Sequence, residues 1–198
     1  MTKGPAWTVE SPEVEPVMRA HRDYVAGLLR TGRAHIGGPF SGDSALRGVY
    51  ILSGTPEDAR ATAESDPGVI AGRYGFDVLK WMGPEGWFQR VPKPEDTEKI
   101  FFGFLVTGAT TVAVTPEEQK LLMRGHLDYM GGQSTIGKLV MAGPLVDGGR
   151  RRGLIAYRVP TMLEAIERAS ADPMIKAGRM APELYEWTIA KGNLKWIF

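Results

Sequence analysis

One short stretch occurs twice in this chain, and the landmarks that follow each copy recur as well. The stretch at 21–24 (His-Arg-Asp-Tyr) returns at 126–129 (His-Leu-Asp-Tyr), 105 positions later. After one inserted residue the offset becomes 106, which carries Asp66-Pro67 onto Asp172-Pro173. A period near one hundred residues is the length of a small domain, so the pattern favours duplication and fusion of one domain.

The boundary between the two copies follows from composition. Residues 83–96 are rich in glycine, proline and charged side chains, a composition typical of a connecting segment. We therefore predict a first unit over residues 1–88, a linker over 89–99 and a second unit over 100–198.

Each copy shows the same predicted order of elements. Apolar spacing over 17–29 predicts a helix, 34–36 and 48–52 predict a hairpin, Thr55-Pro56 begins a capped helix, and 76–81 predicts a strand. The second copy follows this pattern with helices capped at Thr115 and Thr161, and it adds an apolar strand over 100–106. The order β-α-β-β-α-β is the ferredoxin-like motif, so we predict an α+β fold with two such units in tandem.

The first unit has no room for the strand that 100–106 supplies in the second. Shifted back by 105, all of that strand except its last residue would lie before Met1. We predict that the edge is filled by the segment around Trp7 to Val9, or by a strand donated from the inter-unit segment or the C-terminal tail.

Composition excludes several classes of protein. The chain has 198 residues, 43% of them hydrophobic, with a net charge of +1 and no cysteine. Thiol catalysis and disulfides are therefore excluded, and neither nucleic acid nor a membrane is expected as a partner. We find no signal peptide, transmembrane segment, phosphate-binding glycine loop or convincing metal cluster, so we expect a cytoplasmic protein that uses no cofactor and no metal.

The ordered set of landmarks resembles the YCII-related domain family. The set comprises a helix with His-x-x-Tyr, then Gly-Pro, a hairpin, a capped helix, Asp-Pro and a strand ending in Trp, and it covers roughly 17–81 and 100–187. The resemblance implies a dimeric α/β barrel, built here within one polypeptide. It also implies chemistry like that of the family's dehydrochlorinase and of the related muconolactone isomerases and cofactor-free monooxygenases.

The same resemblance implies two His–Asp dyads, which match His21 with Asp66 and His126 with Asp172. A histidine can take a proton from carbon or oxygen while a carboxylate on its other nitrogen fixes the tautomer. Each residue also has a simpler explanation, because an Asp before Pro is a favoured helix N-cap and a helix histidine can be structural. His35 has no counterpart in the second unit, and it is a secondary candidate for an acid or orienting group.

Six further residues are candidates for binding the substrate. Tyr24 and Tyr129 could donate to an oxyanion, Arg73 and Arg179 could bind a carboxylate or phenolate, and Trp81 and Trp187 could line an aromatic site. Core packing explains the Tyr and Trp residues equally well, and surface salt bridges explain the Arg residues.

The function that these patterns favour is a small-molecule lyase or isomerase acting on an aromatic or polyketide-like metabolite. A cofactor-free monooxygenase or cyclase on the same barrel is an alternative, and so is a ligand-binding protein without catalysis. The oligomeric state, monomer or homodimer, is left open by the sequence.

Overall fold

The computed structural model describes residues 1–8, 11–83, 85–91, 93, 95–146 and 149–195, and it shows a mixed α+β protein with antiparallel strands. The α+β class expected from the sequence is confirmed. In the first repeat the elements are β1 (Thr2–Lys3), α1 (Glu15–Thr31), β2 (Ala34–Pro39), β3 (Gly48–Leu52), α2 (Pro56–Glu64), α3 (Pro67–Ile70), β4 (Tyr74–Gly75) and β5 (Lys80–Trp81). In the second they are β6 (Thr97–Thr107), α4 (Pro116–Thr135), β7 (Leu139–Val146), β8 (Arg151–Tyr157), α5 (Met162–Ser170), α6 (Pro173–Lys176) and β9 (Met180–Ala190).

The chain forms two compact units, each of which takes a short segment from the other repeat. Unit 1 contains Met1–Leu79, Phe88–Lys99 and Trp187–Lys195. Unit 2 contains Lys80–Trp87 and Ile100–Glu186, together with residues 196–198, which lie outside the described part of the chain. The predicted boundaries at 88 and 99 therefore separate the sequence repeats, whereas the compact units follow the strand pairing.

The two units share one strand arrangement. In unit 2 the sheet order is β5-β7-β8-β6-β9, all antiparallel where the register is described. In unit 1 the strand pairs and bridges run in the corresponding order: the end of β9, then β2, β3, β1 and β4. Phe40, directly after β2, bridges to Trp187, as Trp81 on β5 pairs with Leu145 on β7 in unit 2.

The place of the supposedly missing strand in unit 1 is taken by the first three residues. Thr2 and Lys3 pair with Gly75 and Tyr74 on one side, and Thr2 bridges to Leu46 on the other. The prediction that Trp7 to Val9 fills this edge is wrong for Trp7 and Thr8, which lie outside any strand, and Val9 lies outside the described residues. The C-terminal segment does join unit 1, but next to β2 at the opposite edge.

The helices begin where the local sequence predicts. Thr55 and Thr115 cap α2 and α4 through reciprocal capping boxes with Asp58 and Glu118, and Pro occupies the first turn of both helices. The predicted strand over 76–81 is wrong in extent, because Tyr74–Gly75 and Lys80–Trp81 pair with different partners and the residues between them are in no strand.

The core of unit 2 lies between its sheet and its helices. Buried side chains from β6 and β8, such as Phe101 and Ile155, meet Ala165 and Ala169 on the apolar face of α5. This packing fixes α5, and through it the short turn that leads to Asp172 and α6. No helix among the described residues has both the length and the apolar character needed to cross a membrane.

Candidate functional site

The first repeat brings His21 and Asp66 together. His21 lies on the buried face of α1, and Nδ1 of its ring is 2.8 Å from both carboxylate oxygens of Asp66. Asp66 is also the N-cap of α3, where its Oδ1 accepts from the backbone N–H of Gly68 at 2.8 Å. One carboxylate therefore caps a helix and holds an imidazole, because its two oxygens offer enough acceptor positions for both.

The second repeat has the same arrangement. Nδ1 of His126 on α4 lies 2.6 Å from Oδ2 of Asp172. The other oxygen of Asp172 accepts from the backbone N–H of Met174 at 2.8 Å and caps α6. The sequence placed both pairs at matching positions, and the structure brings both within hydrogen-bond distance.

The side chains of both dyads are largely buried, and this affects which proton transfers they can make. Each histidine side chain is 11% exposed, while the side chains of Asp66 and Asp172 are 4% and 2% exposed. Since an ionised carboxylate can only accept, the Nδ1 atom carries the hydrogen and the Nε2 atom of a neutral ring carries a lone pair. Such a ring can accept a proton, and the adjacent carboxylate stabilises the resulting imidazolium.

Two tyrosines that the sequence analysis did not select surround His21. The hydroxyl of Tyr50 on β3 lies 3.2 Å from Nε2 of His21, and the ring of Tyr74 packs against the imidazole with 4.8 Å between centroids. Burial raises the pKa of the Tyr50 hydroxyl, and the charges of Asp66 and Tyr74 act in the same direction. An alignment of the two repeats could have drawn attention to Tyr50, because the repeats differ at this position. The second repeat has Ile155 where the first has Tyr50.

The second dyad lacks this hydroxyl. Ile155 is buried on β8, and Nε2 of His126 has no hydrogen-bond partner among the described residues. The two dyads thus hold Nδ1 in the same way and present Nε2 differently.

Tyr24 and Tyr129 hold the end of a neighbouring helix. The Tyr24 hydroxyl donates to the carbonyl of Thr62 at 2.8 Å, and that of Tyr129 donates to the carbonyl of Arg168 at 2.6 Å. Burial raises the pKa of both hydroxyls. Carbonyls in the last turn of a helix lack partners within the helix, so both contacts have a structural purpose. A role in binding substrate remains a prediction.

Arg73 and Arg179 each donate to the segment that follows the first strand of their repeat, β1 or β6. Arg73 is 2% exposed, lies over the ring of Trp7 and donates from Nη1 to the carbonyl of Thr8 at 3.0 Å. Arg179 donates to the carbonyl of Val112 in the same way. Neither contact is the surface salt bridge considered from sequence. Nη2 of Arg73 is buried and has no partner among the described residues, and the binding of a carboxylate or phenolate by either arginine stays a prediction.

His35 lies apart from the dyad in its contacts. Its Nε2 is 3.0 Å from Oγ of Ser53, and its ring stacks on Phe88 with 5.2 Å between centroids. Among the described residues it makes no contact with His21 or Asp66. The prediction that His35 assists the first dyad therefore has no geometric support.

The two tryptophans differ in exposure. Trp187 is fully buried in unit 1, and its indole N–H donates to the carbonyl of Gly38 at 3.0 Å. It has no exposed surface, and its predicted place in the wall of a binding site stays a prediction. Trp81 is half-buried in unit 2 and lies 6.2 Å from the ring of Trp87.

An open groove of about 560 Å³ runs along the outer surface of α4, and neither dyad lines it. Its walls include Lys120, Met123, Leu127 and Asp128. Within the described ranges, no group of three or more acidic or histidine side chains is placed to hold a metal ion.

Known proteins add no further assignment. No family model matches this chain, and no curated protein is significantly similar to it. The resemblance to the YCII-related family therefore remains a prediction, and the case for function has to rest on the two dyads.

Proposed function

We propose that this protein is a cofactor-independent lyase or isomerase that moves a proton on a small aromatic or polyketide-like metabolite. We also infer that its repeats are ferredoxin-like units of the kind that build α/β barrels. The observation that carries the proposal is the duplicated contact between Nδ1 and a buried carboxylate, at His21–Asp66 and at His126–Asp172.

The chemistry needs a base that can accept a proton and return it. Nε2 of each ring is the basic atom, because Nδ1 carries the hydrogen and donates it in a hydrogen bond to the carboxylate. When the ring accepts a proton from the substrate, the electron pair of the broken bond stays on the substrate. The proton then returns to a different atom in an isomerisation, or the electron pair expels a leaving group in an elimination.

The helix caps explain why the carboxylates are ready for this task. Gly68 N–H and Met174 N–H each fix one carboxylate oxygen, so the group cannot rotate away from the imidazole. A base that is oriented before the substrate arrives avoids the cost of ordering it during the reaction.

The test uses a probe that does not depend on knowing the natural substrate. 5-Nitrobenzisoxazole opens in one step when a base removes its ring proton, and the product absorbs visible light. We expect the wild-type protein to accelerate this elimination and His21→Asn/His126→Asn to lose about 100-fold in rate. Asparagine is the right replacement because its amide nitrogen can still donate to Asp66 or Asp172 while it offers no base. A double variant that keeps the wild-type rate would contradict the proposal.

A further inference from the structure

The first repeat contains three polar groups in a chain of contacts. Asp66 holds Nδ1 of His21 at 2.8 Å, and Nε2 of the same ring lies 3.2 Å from the hydroxyl of Tyr50. A carboxylate that orients an imidazole, which in turn contacts a hydroxyl, is the arrangement by which enzymes activate a hydroxyl group.

The fold holds the Tyr50 ring in this position. Tyr50 on β3 pairs directly with Gly37 on β2, and its ring lies against that glycine. A Cβ on residue 37 would come within 2.1 Å of the Tyr50 ring, so only glycine leaves room for it. Burial raises the pKa of the hydroxyl, so Tyr50 stays protonated and can donate a hydrogen bond to Nε2. Tyr50 itself is half-buried, so part of its surface faces away from the core.

We propose that Tyr50 is a catalytic residue of the first repeat and that its oxygen, backed by His21 and Asp66, is the atom that takes the proton of the substrate. This inference rests on the function proposed above and adds the group that touches the substrate. The substrate proton passes to the Tyr50 oxygen while the Tyr50 proton passes to Nε2 of His21. The electron pair stays on the substrate, and the imidazolium is stabilised by the carboxylate of Asp66.

The second repeat works differently under this proposal. Ile155 replaces the tyrosine, so Nε2 of His126 takes the proton directly. The two sites therefore differ in the number of protons that move, two in the first repeat and one in the second.

The test isolates each repeat with the 5-nitrobenzisoxazole assay. In His126→Asn only the first repeat retains its histidine, and there we expect Tyr50→Phe to lower the elimination rate at least about tenfold. The phenylalanine ring would still cover Nε2 but would offer no path for the proton. In His21→Asn, where only the second repeat acts, Tyr50→Phe leaves the rate unchanged. Tyr74→Phe is the matched control, since it removes a hydroxyl of the same repeat that donates to Sδ of Met18.

Two outcomes would overturn the proposal. The first is an unchanged or faster rate when Tyr50→Phe is added to His126→Asn, which would mean that Tyr50 only covers the base. The second is a His126→Asn protein no faster than the double histidine variant, which would mean that the first repeat moves no proton. In that second case the rate left in His21→Asn would still support the general proposal of proton transfer.

A measurement without any tyrosine variant provides an independent check. Because the Tyr50 proton exchanges with solvent and moves in the same step, His126→Asn should run more slowly in D2O. His21→Asn should run at nearly the same rate in both solvents, since the proton it removes is bound to carbon and does not exchange. Equal solvent effects in the two proteins would also overturn the assignment of Tyr50.

Discussion

The two repeats hold the same dyad in different surroundings. Both histidines contact a buried Asp that caps a four-residue helix, and both are equally exposed. The first has Tyr50 and Tyr74 around its ring, where the second has Ile155 and Met180 at the corresponding positions. The contact between Nδ1 and the carboxylate is therefore present both with and without aromatic residues beside the ring.

The largest expected effect is a loss of stability on removal of either aspartate. It tests whether the two dyads contribute equally to the free energy of unfolding. Asp66→Ala and Asp172→Ala each remove the partner of an imidazole and the cap of a short helix. We expect each to lower the free energy of unfolding by about 3 kcal/mol, measured by urea unfolding followed by circular dichroism. Asp66→Asn and Asp172→Asn should lose less, because the amide oxygen can still accept from Gly68 or Met174. A large loss at only one of the two positions would break the equivalence.

The next prediction concerns a cross-strand pair of residues that differs between the two repeats. Gly37 pairs with Tyr50 across β2 and β3, and Ala142 pairs with Ile155 across β7 and β8. Gly37→Ala should lower the free energy of unfolding by about 1–3 kcal/mol, because the new methyl group collides with the Tyr50 ring.

The double variant Gly37→Ala/Tyr50→Ile reproduces the pair found in the second repeat, and it should recover most of the loss. Urea unfolding checks both values. If the double variant is as unstable as the single one, the clash with Tyr50 is not the cause.

The smallest expected effect concerns the N-terminal caps of α2 and α5. The acidic residue at the third position of the helix, Asp58 or Glu164, has a different partner in each. Asp58 accepts from the backbone N–H and the hydroxyl of Thr55, and these bonds lower its pKa from the ordinary value of an aspartate. At the corresponding position the pKa of Glu164 is lowered chiefly by its hydrogen bond with Arg168. Thr55→Ala should lower the free energy of unfolding by about 1 kcal/mol at neutral pH.

The pH dependence follows from the direction of the Asp58 shift. A lowered pKa in the folded protein means that the ionised carboxylate adds stability above its ordinary pKa and loses it as the pH falls through the lowered value. The difference between wild type and Asp58→Asn should therefore shrink below about pH 4. In about 1 M salt the effect of Glu164→Gln should shrink more than that of Asp58→Asn, since an ion pair is screened and a backbone cap is less so. A difference that grows on acidification would contradict the assigned cap.

Much of the fold could be predicted because its signals are local. The capping boxes at Thr55 and Thr115 and the Asp-Pro caps at 66 and 172 are complete within four residues of sequence, and the helices begin where they predict. The repeat marks the histidines and the aspartates twice, and the resemblance to the YCII-related family implied their pairing. The strand over 76–81 was predicted poorly, because its ends pair with different strands and no local pattern records a partner.

The sequence by itself determined the duplication, the mixed α+β class, the helix starts and the candidate His–Asp pairs. Only the tertiary structure decided that Met1–Lys3 lies between β3 and β4, that Trp187 is sealed in unit 1, and that Tyr50 meets His21. The last contact joins residues 29 apart and depends on the register of β2 and β3, which includes an irregularity between Ala34 and Ile36. A shift of one residue in that register would turn Tyr50 to the opposite face of the strand, and spacing along a sequence cannot fix it.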